Sequence, residues 1–297
     1  MAAGPLRIID AHTHLFTDAA MAGLWLGPDA RRTGQLDELT SLLDETGVVK
    51  AVILLFHRSA ELYDAEVAAG ASAAAARQTV RAAIHDYNVW GCRAAERDRR
   101  LLPFVGVNPR FMSAGQIDEE IGSAIAMGAV GVKIIPNRFM AYADDPLLSP
   151  VYESCCAHGV PLLSQAGSYG LVPGSSADPF GRPKYFRPVL ERFCDLRLIL
   201  AHMGHSYEAD VAELVANFPN VYTDVSLRLS GMDRPGGPTS AETVAAIRSI
   251  GTDRVLFGTN YPFANPVRYV KTFEQLPLTD TERSSIAAEN FERLMQR

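Results

Sequence analysis

A chain of 297 residues, 47% hydrophobic and 21% charged, can bury a large core without help from disulfides or structural metals. Its net charge of −6 and pI near 5.7 argue against a nucleic-acid footprint or a basic membrane-binding face, and leave small molecules as the expected partners. No run of about 18 apolar residues is present to cross a membrane, the N-terminus lacks the regions of a signal peptide, and the cysteines Cys92, Cys155, Cys156 and Cys194 show no C-x-x-C spacing. Reduced thiols and a cytoplasmic location are therefore expected.

Short β-branched runs alternate with longer helical patterns along the whole chain. Strands are predicted at 6–11, 49–56, 101–107, 129–135, 161–164, 196–201, 221–225 and 255–258. Between them, 36–46, 74–99, 116–127, 150–158, 183–193, 209–217 and 241–249 carry apolar residues at helical spacing, most opened by Ser, Thr, Asp or Pro. The Ala-rich run 65–76 is helix-compatible. Two longer connections, 16–35 and 167–182, leave the same end as the strand termini and are rich in Gly, Pro and small polar residues, the composition of lids and pocket loops.

Strand and helix repeated eight times predict an α/β fold of the (β/α)₈-barrel type, a single domain over residues 1–297. A doubly wound open sheet is the alternative, but no Gly-rich phosphate loop follows the first strand.

In a parallel barrel the C-terminal strand ends meet at one mouth. Here they carry His12 and His14, His57, Asn108, Lys133, Gln165, His202, Asp224 and Asn260. Strand alternation puts His12 and His14 on one face, which makes them either half of a metal site or a hydrogen-bonded pair without metal. Lys133 inside a barrel needs a partner or a task, as anion binder, ion-pair member or catalyst. His202 is a candidate ligand or general acid/base, and His205 a weaker neighbour. His57 either lines the mouth or packs beside it. Asp224 is the only strand-end carboxylate after the first strand; it serves as a base or pairs with Arg228.

The series D-A-H-T-H, G-V-K-I-I-P, L-A-H-M-G-H and F-G-T-N-Y-P, with A-E-N-F-E-R-L near the C-terminus, resembles the amidohydrolase superfamily. Within it the chain is similar to the amidohydrolase-related branch of aminocarboxymuconate-semialdehyde decarboxylase, resorcylate-type decarboxylases and pyrone-dicarboxylate lactonase. The resemblance implies a mononuclear metal site taking the H-x-H pair, a histidine after strand five and an aspartate after strand eight. It also implies an acid/base histidine after strand six. His12, His14 and His202 match those positions, while Gln165 and Asn260 stand where the second histidine and the aspartate would be. An amide is a weak, uncharged ligand and no base at neutral pH, so the metal site is depleted.

The expected function is therefore hydrolysis, or a lyase step such as decarboxylation, on a small carboxylated or cyclic substrate. His202, Asn260, Lys133 and Gln165 are the candidate catalytic residues. His57, Arg110, Arg138 and Asp224 are the candidates for substrate contact, and His12 and His14, joined by His202, for a zinc or manganese ion. The resemblance makes a homodimer the expected assembly. A metal-free lactonase- or cyclase-type enzyme and a non-catalytic barrel that binds a small molecule are the alternatives.

Overall fold

The computed structural model describes residues 6–27, 31–168, 178–232 and 236–296. Eight strands pair in parallel in the order of the chain: β1 (Ile8–Thr13), β2 (Val48–Leu54), β3 (Leu101–Gly106), β4 (Gly131–Ile134), β5 (Leu162–Ser164), β6 (Leu198–Leu200), β7 (Val221–Asp224) and β8 (Val255–Leu256). The ring closes between β1 and the segment at β8. Ala11 N–H donates to the Phe257 carbonyl (2.8 Å), Asn260 N–H to His12 (2.8 Å) and His14 N–H to Tyr261 (2.7 Å). This is the predicted barrel, and β1 runs two residues beyond its predicted end, to Thr13.

Side-chain direction separates two cores. Ile9, Ala11, Val52, Leu54, Phe104 and Leu163 belong to a cluster that fills the barrel, whereas Ile8, Ala51, Ile53 and Val105 belong to the layer between strands and helices. Pairing of β1 with β2 shifts register between Ile8 and Ile9 and again between Asp10 and Thr13. The second irregularity lies at the histidine pair, where bulged strands re-aim side chains.

Around the ring run α1 (Ala19–Leu26), α2 (Leu36–Thr46), α3 (Ser59–Ala68), α4 (Ala73–Arg97), α5 (Ala114–Ala126), the single turn α6 (Pro136–Phe139) and α7 (Ser149–His158), followed by further helices in the second half. Their ends follow local chemistry: Ser72 and Ser113 cap α4 and α5, and Gly47 and Gly159 terminate α2 and α7 in the left-handed conformation. Two expectations are corrected. The Ala-rich run is not one helix, because the chain breaks at residues 69–72, where Gly70 takes φ 95°. The connection 16–35 contains α1, which is apolar nearly all round yet has Ala22 as its only buried residue. Most of the connection 167–182 lies outside the described residues. No described helix is long and apolar enough to cross a membrane.

The C-terminal motif closes the opposite end. Phe291 and Leu294 join the barrel-filling cluster, and the Asn290 amide donates to the carbonyls of Val255 and Thr252 (2.8 Å each). Replacing Phe291, 3% exposed, by Ala should lower the unfolding free energy by about 3–5 kcal/mol through the cavity it leaves. Urea unfolding followed by circular dichroism measures this, and an unchanged midpoint would contradict the role of this residue as the barrel floor.

Candidate active site

Three imidazoles converge at the mouth. The ring centroids of His12 and His14 lie 5.2 Å apart, and those of His12 and His202 lie 4.7 Å apart. Strand β1 supplies the first two. His202 comes from the turn after β6, where its backbone is left-handed (φ 62°, ψ 26°). Asn260, after β8, is left-handed too (φ 61°), a conformation asparagine tolerates better than most residues. The mouth thus holds two of its polar residues in uncommon backbone states.

Asp224, at the end of β7, ties the cluster together. Its Oδ2 accepts from His12 Nδ1 (2.9 Å), while its Oδ1 accepts the backbone N–H groups of His202 (3.1 Å) and Ser226 (3.0 Å) and the Ser226 hydroxyl. With Nδ1–H committed to the carboxylate, the lone pair of a neutral His12 is on Nε2, which is buried and has no hydrogen-bond partner. His202 Nε2 lies 3.1 Å from Gln165 Oε1 and its Nδ1 2.6 Å from Ser226 Oγ. His14 is hydrogen-bonded to the Asn260 side chain and to the backbone of Leu54.

Lys133 is fully buried on β4, and its Nζ has no hydrogen-bond partner. Burial pulls its pKa down from 10.5 to about 7, against the pull of Asp224. Burial, reinforced by Lys133, also holds His12 well below the usual imidazole range. His14 and His202 are lowered by burial and then by His12. The three rings are therefore neutral at pH 7 in this arrangement.

Beneath them Asp10 takes hydrogen bonds from His12 N–H (3.1 Å), Thr259 N–H (2.9 Å) and the Thr259 hydroxyl (2.6 Å), yet burial raises its pKa to about 7.

The other candidates stand at the rim. Asn108 accepts the backbone N–H of Arg110 (3.1 Å) and so shapes its own turn, and the Arg110 guanidinium is held on the Phe139 carbonyl. Arg138 and Arg58 both donate to Glu61, and both lie over the Trp25 ring, at 5.2 and 5.7 Å. His57 sits beside Glu61, with its pKa lowered by burial. The expected alternative partner of Asp224 is corrected: Arg228 pairs with Glu208 at 3.1 Å, because its backbone leaves β7 facing the helix Glu208–Asn217.

Sequence reasoning did not single out Ser226, Thr259, Arg58, Glu61 or Trp25. Ser226 shares the strand-end position with Asp224 two residues earlier, which is a signal, but serine in a turn is too common to stand out.

His12, His202 and Asp224 offer ligand atoms that all lie within 4.8 Å of one another. This donor set, with an orphaned imidazole nitrogen among it, fits a divalent cation. A protonated Lys133 beside it opposes one.

The sequence matches the family model described as Amidohydrolase over residues 9–296. No curated protein sequence matches. Among solved structures, a dihydroxybenzoic acid decarboxylase from Polaromonas sp. JS666, with bound manganese and the inhibitor 2-nitroresorcinol, is 17% identical over 98% of this chain and 97% of its own, with a TM-score of 0.72. A 5-carboxyvanillate decarboxylase from Novosphingobium aromaticivorans, complexed with manganese and 4-hydroxy-3-methoxy-5-nitrobenzoic acid, is 14% identical over 99% and 97%, at 0.73. A 2,6-dihydroxybenzoate decarboxylase from Rhizobium is 15% identical over 98% of both chains, at 0.71. At these identities the likeness is one of fold.

Lys133→Met should raise stability at pH 6–7 by roughly 3–5 kcal/mol, since the fall from 10.5 to about 7 is a cost to the folded state. The sign follows from proton counting: between about 7 and 10.5 the unfolded chain binds a proton that the folded one does not, so wild-type stability rises with pH there. Guanidinium unfolding across that window should show the advantage of the variant shrinking to near zero by pH 10.5. An advantage independent of pH would refute the shift.

Proposed function

The chain belongs to the amidohydrolase family, and on that footing we propose that it is a carboxy-lyase-type enzyme acting on a small, flat, carboxylated substrate. The observation that carries this reading is the buried pair His12 and His202 tied together by Asp224, with the half-buried His14 beside His12 and Lys133 unpaired among them. The neighbours named as decarboxylases of aromatic acids support the substrate class.

The reaction balances as R–COO⁻ + H⁺ → R–H + CO₂. The bond between the substrate carbon and the carboxyl carbon breaks, its electron pair stays on the substrate carbon, and that carbon takes up a proton. His202, neutral at rest, takes up a proton from solvent and passes it to that carbon from Nε2, the nitrogen turned away from Ser226. Lys133, in its ammonium form, holds the departing carboxylate, and the amides of Gln165 and Asn260 orient the substrate by hydrogen bonds.

At the rim, Arg58 and Arg138 on Trp25, with Arg110 and His57, recognise further anionic or hydroxyl groups. Phe263, 46% exposed and edge-on to His14 at 5.5 Å, offers an apolar contact for a flat ring.

His12, through its unpartnered Nε2, would hold a divalent cation, manganese or zinc, with His14 beside it and Asp224 orienting the ring. When bound, such an ion polarises a substrate oxygen as a Lewis acid. Elemental analysis should find metal in the purified protein and less than a tenth of that amount in His12→Ala. Occupancy should fall as pH drops through about 7, where Lys133 gains its charge next to the ligands. Equal occupancy in both proteins would remove His12 from the ligand set.

A hydrolytic reading rests on His12 with Asp224 behind it, an arrangement in which Nε2 can take a proton from water. Product analysis separates the two. Incubation with 2,6-dihydroxybenzoate, 5-carboxyvanillate and small lactones should give CO₂, measured by headspace mass spectrometry, from an aromatic acid. His202→Ala should lower kcat/KM by about 10²–10⁴. Ring-opened acid without CO₂ would sink the lyase reading in favour of hydrolysis.

A further inference from the structure

Outside the histidine cluster, the Glu38 carboxylate in the first turn of α2 gathers donors from opposite ends of the chain. Its Oε2 accepts the backbone N–H of Thr33 (2.6 Å), the Thr33 hydroxyl (2.6 Å), the backbone N–H of Gly34 (3.2 Å) and the Tyr261 hydroxyl (2.9 Å), and its Oε1 accepts from Arg32 (3.3 Å). Burial works to raise its pKa, but the donors from Thr33, Tyr261 and Gly34 hold it below the usual carboxylate range. Glu38 is therefore an anion at neutral pH, and these hydrogen bonds are charge-assisted.

Tyr261 is the far end of this clasp. It is fully buried, and its backbone is tied on both sides, N–H to the Thr259 hydroxyl (3.1 Å) and carbonyl to the His14 N–H (2.7 Å). Its hydroxyl needs an acceptor, and Glu38 supplies one at 2.9 Å, against 3.5 Å for the Gln35 carbonyl. Gly34 touches the same segment at a second point. Its φ is 67°, and a Cβ there would stand 2.5 Å from the Phe16 ring and 3.0 Å from Pro262, so glycine is required for so close an approach.

The held segment is the turn that shapes one side of the mouth. The Phe263 N–H returns to the Asn260 carbonyl (2.9 Å), and Asn260 enters the turn in its left-handed conformation. Such a backbone persists only where its surroundings over-determine it. Tyr261 anchors the turn to α2, and Phe263 is the ring it presents edge-on to His14.

We infer that Glu38 is a positioning residue that fixes Phe263, through Tyr261 and Gly34, as the wall against which a substrate ring lies. This rests on the reading of Phe263 as the apolar contact for a flat substrate, and names the residue that sets it. A wall acts on binding, so its displacement should weaken the hold on substrate more than it slows the chemistry. Glutamine at position 38 keeps the length of the side chain but loses the charge, and it sets an NH₂ among groups that are themselves donors.

The test is ¹⁹F NMR of full-length protein labelled with 4-fluorophenylalanine, with the signals of Phe263 and Phe291 identified by their loss in Phe263→Leu and Phe291→Leu. Glu38→Gln and Tyr261→Phe should each move the Phe263 signal by more than its linewidth and in the same direction, leaving Phe291 at the barrel floor in place. The double variant should move it no further than the larger single change, because both act along one path. The same shifts should appear in protein as purified and after dialysis against EDTA, which separates the wall from any ion at His12. Where an aromatic acid is turned over, Glu38→Gln should raise KM about fivefold or more, with kcat within about twofold. A Phe263 signal unmoved in either variant overturns the inference, as do additive shifts in the double variant, shifts abolished by EDTA, or a loss carried by kcat with KM unchanged. If Glu38→Gln does not fold, the Tyr261→Phe spectrum decides alone. A protein that shows these shifts but releases no CO₂ retains Glu38 as the residue that places Phe263 and loses only the decarboxylase reading.

Discussion

The hydrogen bond between His12 and Asp224 is the contact on which the rest of the mouth depends. It spans from the first strand to the seventh and is buried at both ends, with 1% and 0% side-chain exposure. A buried carboxylate needs its lone pairs filled, and Asp224 fills them with one imidazole, two backbone N–H groups and one hydroxyl. Each of those donors is thereby placed. The His12 ring turns its other nitrogen inward, the backbone at His202 is pinned in a left-handed turn, and Ser226 is held against both histidines. Removing the carboxylate would leave several buried donors without acceptors, and such networks fail as units rather than contact by contact.

Electrostatically the mouth is unusual in what it leaves unsatisfied. Lys133 and the imidazoles crowd one another, and each makes protonation of the next harder. The folded state tolerates this because the barrel wall, built from strands with apolar residues on both faces, is stable enough to carry it.

Much of this was legible before the structure. All eight strands lie where β-branched runs and turn residues place them, and α2 spans 36–46 as its periodicity predicts. His12, His14, Lys133, Gln165, His202, Asp224 and Asn260 could be gathered from six distant places because a parallel barrel brings every strand end to one face. What stayed hidden was partnership. Nothing in the spacing of Asp224 distinguishes Arg228, four residues later, from His12, 212 residues earlier. The helical continuation after β7 carries the arginine away toward Glu208, and only the closed ring brings the histidine near. The rim was opaque for a related reason. Trp25, Arg58, Glu61 and Arg138 come from separate connections whose meeting depends on how α1 folds back, and α1 lacks the apolar stripe that would announce its orientation.

The seam that closes the barrel has a consequence for the life of the chain. Asp10 and Thr259 are joined by two hydrogen bonds across 249 residues of sequence, and His12 and Asn260 meet through their backbones at the same place. In the order of synthesis the histidine pair precedes, by more than two hundred residues, the strand that completes its surroundings. Over that interval His12 and His14 are side chains without a site. Until β7 and β8 emerge, nothing orients the His12 ring or shields it from solvent. The geometry of the mouth thus appears in one step, together with the closed fold, and a chain stalled before β8 has neither.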